Sequence, residues 1–191
     1  IDVREGLIQE HMDIFDDLDI VVVAVDGEQV KYILNEALLK QHITAVYAGV
    51  YERGEGGDVV IIRPYDGPCY ACWSQELRDG FQQPVPGADG ALDYGMIGEE
   101  GTLDAEPGLW VHVTKVASIQ TDIIINELLR GSDASEEMPA NTIIVANNEM
   151  EIIEGVINDP HTGLWISIPR DPECLVCGDR ARLATEEDHS A

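Results

Sequence analysis

Residues 19–27, Asp19-Ile-Val-Val-Val-Ala-Val-Asp26-Gly27, decide the fold. A continuous β-branched run of this kind is the pattern of a parallel strand covered on both faces by helices. Asp26-Gly27 supplies a tight turn, and residues 29–41 then carry Val30, Ile33, Leu34, Ala37 and Leu38 at helical spacing. Strand, turn and helix in that order predict an α/β layer.

Working outward, residues 43–51 and 58–63 are β-rich runs, and the glycines between them suit a hairpin-like turn. Residues 110–130 repeat apolar side chains at helical spacing through Val113, Val116, Ile119, Ile123, Ile124 and Leu128, with Gly131 as the stop. Three further strand-like runs, 142–147, 150–157 and 164–168, predict an antiparallel meander. Residues 75–108 change character: rich in glycine, proline and acids and poor in periodic apolar residues, they predict a long acidic loop insertion. The polar tail, 185–191, is expected to fray. No internal repeat is found, and the length and 45% hydrophobic content fit one domain, residues 1–191, with a sizeable core.

The chain carries 37 Asp and Glu against 11 Lys and Arg, a formal net charge of -26. Such a surface repels nucleic acid and anionic membranes, and no Lys/Arg cluster offsets it, so neither is an expected partner. Two readings of the acidity stay open: a solvating surface of the salt-adapted kind, or a docking face for a basic partner. The acids are spread along the chain, from before Glu10 to Asp188, without forming one block, and only Lys31, Lys40 and Lys115 are lysines, which favours the solvating surface. No long uncharged apolar stretch and no signal-peptide pattern occur, so a cytoplasmic location is expected.

All four cysteines fall in Cys-x-x-Cys pairs, Cys69/Cys72 and Cys174/Cys177, each entered through a proline, Pro68 and Pro172. Two such knuckles offer four thiolates, the set that zinc takes in a tetrahedron, and four protein ligands leave no open position for catalysis. The pairs stand far apart in the chain, so one structural zinc would staple two distant segments. The competing readings are a redox pair or unligated buried thiols. The five histidines are scattered and suggest no triad.

The order of these features resembles the ThiF/MoeB/HesA-type adenylyltransferases, relatives of ubiquitin-activating enzymes. The resemblance is carried by the strand ending at Asp26-Gly27, Lys31 and Asn35 on the next helix, Ala48-Gly49-Val50, Gly57-Asp58-Val59, Pro68-Cys-Tyr-Ala-Cys72, a long helix and the terminal Cys-x-x-Cys. It implies a Rossmann-like sheet, carboxy-terminal half, with an antiparallel strand extension and a four-cysteine zinc staple. It also implies magnesium ATP as co-substrate and the carboxy-terminal glycine of a ubiquitin-like or sulfur-carrier protein as acyl substrate, with homodimers common. Asp26 matches the aspartate beside magnesium and the phosphates. Lys31 and Asn35 match adenylate-side positions, with Lys in place of the family's Arg and Gly27 in place of its Asn. The bare reading of Asp26-Gly27 is a turn and helix start.

The glycine-rich loop, acidic ribose contact and arginine-bearing helix of the amino-terminal nucleotide-binding half do not precede Asp19, so the expectation is a fragment that is inactive alone. All four cysteines being committed to metal, thioester transfer within the chain is not expected. The alternative is a non-catalytic zinc-stapled interaction module built on the same fold.

Overall fold

The computed structural model describes residues 2–25, 27–78 and 108–182. Strand β1 (Ile20–Val23) leads into helix α1 (Glu28–Lys40), and strand β2 (Thr44–Val50) returns parallel to β1, with Ile20 opposite Thr44 and Val23 opposite Tyr47. This is the predicted strand–turn–helix unit. From β2 onward the sheet is antiparallel. Strand β3 (Gly56–Ile62) pairs with β2, a strand β4 (Thr142–Ala146) pairs with β3, and a last strand, β7 (Gly163–Ile166), completes the five-stranded sheet in the order β1-β2-β3-β4-β7.

Helix α2 (Tyr70–Arg78) follows β3, and helix α3 (Trp110–Leu128) precedes β4. Residues 75–78, read from sequence as the start of the loop, are therefore the last turn of α2. The rest of that loop up to residue 107 lies outside the described residues, as does the tail beyond 182.

The run 150–157 is not one strand. It folds at Gly155, whose φ of +79° suits glycine, into a hairpin of β5 (Met150–Ile153) and β6 (Val156–Asn158). This hairpin forms its own two-stranded sheet, and β7 (Gly163–Ile166) returns to pair with β4. Glu154-Gly155 breaks the alternation that a single strand would need.

The sheet divides two apolar layers by simple period-two alternation. Ala45, Tyr47, Val60 and Ile62 face α1 and α2, joining Leu34, Leu38, Tyr70 and Trp73. Val46, Val59 and Ile61 face α3, joining Val116 and Ile123. β3 is buried along its whole length and is the centre of the molecule. β1, expected to be buried on both faces, stands at one end of the strand order among the described residues, and Val22 is half exposed there.

α3 is tied to the sheet by polar contacts as well. Gln120, buried in the middle of the helix, donates Nε2 to the carbonyls of Val46 (2.9 Å) and Val23 (3.3 Å), bridging the two parallel strands. At the other end of β3, Arg63 makes a two-pronged ion pair with Glu127, Nη2 to Oε1 at 2.6 Å and Nε to Oε2 at 2.9 Å. Among the described residues no helix is long and apolar enough to cross a membrane.

Candidate functional site

The first cysteine pair sits at the start of α2. After β3, a turn through Tyr65 and Gly67, both at positive φ, brings Pro68 and Cys69 to the helix, and Cys72 follows in its first turn. One helical turn places the two sulfurs side by side, 3.8 Å apart. The second pair lies on tight turns after β7. Asp171 Oδ1 accepts the Glu173 amide, Cys174 O accepts the Gly178 amide, and the Val176 amide points at Cys174 Sγ at 3.4 Å. A Cβ on Gly178 would stand 2.3 Å from Cys174 O, so only glycine permits this closure. Arg170 braces it, donating to Cys177 O at 3.0 Å and to Asp179 Oδ1 at 2.6 Å.

The fold brings the pairs together. Cys69 and Cys174 sulfurs are 3.8 Å apart, Cys72 and Cys177 sulfurs 3.4 Å, and all four lie within 4.8 Å of one another. Thiolates about 2.3 Å from one tetrahedral ion stand about 3.8 Å apart, so the donor set and the spacing both fit a four-thiolate metal site. A disulfide needs sulfurs at about 2.05 Å, and all four cysteines are free. Leu39 of α1 and Val176 close the cluster with apolar contact, and Cys69, Cys72 and Cys177 are buried. Hydrogen bonds from Cys177 and then Cys69 hold the Cys72 thiol far below its ordinary pKa.

Asp26 lies outside the described residues. Lys31 and Asn35, expected at the adenylate side, are both buried between α1 and α2 rather than solvated. Lys31 Nζ donates to Glu28 Oε1 at 3.0 Å, and Asn35 Oδ1 accepts the Tyr70 amide at 2.9 Å. Tyr70 in turn donates its hydroxyl to Glu28 Oε2 at 2.9 Å, and the Tyr32 and Ser74 hydroxyls bond each other nearby. Glu28, Tyr32, Tyr70 and Ser74 were not singled out from sequence for this contact. The available signal was polar spacing: 28, 31 or 32, and 35 form one stripe of α1, and Tyr70 sits inside the first knuckle.

Residues 1–165 match the sequence profile of the ThiF family. The chain belongs to the ThiF family. No curated protein matches it in sequence. Among solved structures, this ThiF-family chain resembles E. coli MccB with a TM-score of 0.54 at 15% identity, covering 88% of this chain and 42% of that one. The E. coli MccB structure with ATP gives 0.52 at 15% identity, again covering 88% and 42%. The microcin C7 biosynthetic enzyme MccB in complex with N-formylated MccA gives 0.50 at 16%, covering 88% and 44%. At such identity the likeness is one of fold, and the chain spans less than half the length of these relatives.

Proposed function

We propose that this chain is the carboxy-terminal part of an ATP-dependent adenylating domain, stapled by one structural zinc. The carrying observation is the ThiF-family match over residues 1–165 on a chain whose four cysteines meet at tetrahedral spacing. Four thiolates are the set that zinc favours, and four protein ligands make the ion a structural one. The reading assigns the chain to the cytoplasm, where thiolates stay reduced and available to metal.

The substrate in this reading is the carboxy-terminal glycine of a ubiquitin-like or sulfur-carrier protein. The tail carboxylate attacks the α-phosphorus of ATP; a P–O bond forms and pyrophosphate leaves. MccB has been solved with ATP and with N-formylated MccA, which supports a nucleotide and an acyl partner for this fold. The magnesium ion would supply charge neutralisation at the phosphates. Asp26, which follows β1 in sequence, would offer the hard oxygen that ion takes, and α/β sheets bind ligands at the carboxyl ends of parallel strands such as β1 and β2. Lys31 and Asn35 serve this site from behind in our reading, by holding α1, rather than by touching nucleotide. Homodimerisation fits the same reading.

The test is ATP–pyrophosphate exchange by the intact polypeptide that carries this chain, with ubiquitin-like proteins ending in glycine. Asp26→Ala is expected to lower exchange about 100-fold or more, with zinc content and folding unchanged. Exchange at the wild-type rate reduces Asp26-Gly27 to a turn. No exchange by the intact wild type with any such protein favours the non-catalytic module.

A further inference from the structure

Glu28, Lys31 and Asn35 are spaced by three and four along α1, one stripe of the helix, and the stripe converges on Tyr70. Tyr70 follows Cys69 directly and opens α2. Its amide is one of the donors that the first turn of any helix leaves without an intrahelical partner. An N-cap Ser, Thr, Asp or Asn bonds the second or third helical amide, so the residue before Tyr70 leaves this first amide to another acceptor. Here that residue is Cys69, whose sulfur faces the three other sulfurs. Asn35 fills the gap from another helix, its Oδ1 accepting the Tyr70 amide at 2.9 Å. Asn35 is only 1% exposed, and its Nδ2 has no hydrogen-bond partner among the described residues. A buried amide group that leaves its own donor unsatisfied is held there by its acceptor.

Resting on the reading of the cysteines as a metal centre, we propose that Asn35 is a positioning residue of that centre. It caps α2 from α1 and so sets the helical turn that aims Cys69 and Cys72 at the ion. The Glu28 contact to the Tyr70 hydroxyl and the Lys31 contact to Glu28 fix the same residue from its other end. The metal staple and the start of α1 are thereby joined through one side chain, Tyr70.

Zinc competition against a chelator and cobalt(II) thiolate absorption, measured on the full chain, test this. Asn35→Leu is expected to weaken zinc binding about 10- to 100-fold, the usual effect of removing a group that orients a ligand, and to shift the cobalt bands. Asn35→Asp keeps the acceptor but adds a buried carboxyl, so it is expected to bind zinc more tightly than Asn35→Leu though less tightly than wild type. A folded Asn35→Leu chain that binds zinc as tightly as wild type overturns the proposal. If Asn35→Leu does not fold, hydrogen exchange on the zinc-loaded wild type decides. A slowly exchanging Tyr70 amide supports the cap, and one exchanging at the rate of an open amide overturns it. Wild-type chain that binds neither zinc nor cobalt overturns the metal reading itself, before any variant is compared.

Discussion

Cys177 and Cys72 show why four sulfurs at this distance want a cation. Hydrogen bonds with Cys69 and then Cys72, together with burial, push the Cys177 thiol far above its ordinary range, while hydrogen bonds with Cys177 and then Cys69 hold Cys72 far below. A free cysteine thiol keeps its proton below about pH 8.5. Metal binding must displace those protons, so acid competes with the ion: retention is full at neutral pH and falls as pH is lowered. We expect about one zinc per chain at pH 7, released progressively on acidification, with elemental analysis after dialysis as the check. Cys69→Ser or Cys177→Ser is expected to abolish soluble folded protein, since a structural thiolate site contributes roughly 10 kcal/mol or more of apparent binding free energy. Native protein free of metal, with four thiols that titrate freely, would refute this.

At the scale of elements, the join between β3 and α3 adds an ion pair and a close approach to its apolar layer. The Glu127 side chain is 5% exposed and Arg63 20%, so the pair is largely out of water. Arg63→Met strands the Glu127 carboxylate, and a loss of about 3 kcal/mol in denaturant unfolding is expected. Adding Glu127→Leu removes the stranded charge and should recover most of that loss; a double variant as unstable as the single one would contradict this account. The close approach is at Gly57, where a Cβ would stand 2.5 Å from Gly49 O and 2.7 Å from Val116 Cγ2. This lets β2, β3 and α3 meet. The pattern of 58–63 announced a strand, and the glycines before it a hairpin with β2, but not that β4 would be its other neighbour or that α3 would cross it. Strand pairing is a long-range choice, settled by which faces bury together.

For the molecule as a whole, the net charge of -26 opposes its own compaction. Salt shortens the reach of that repulsion to a Debye length of about 8 Å at physiological ionic strength, so the melting temperature of the zinc-loaded chain should rise with added salt. A flat or falling melting temperature would remove self-repulsion as a major term. Much of this protein was readable in one dimension. Local pattern determined the strand–turn–helix unit around 19–41, the long helix ending before Gly131, and four cysteines as a ligand set, because periodicity and ligand chemistry are properties of neighbouring residues. Residues 150–157 misled as a single strand, since a hairpin turn at Gly155 interrupts an otherwise apolar run. Tertiary structure alone decided that the two cysteine pairs face each other at tetrahedral spacing. It also decided that Lys31 and Asn35 lie buried against Tyr70 instead of facing solvent. Those outcomes depend on which distant surfaces exclude water together, a matter of packing that no local window of sequence contains.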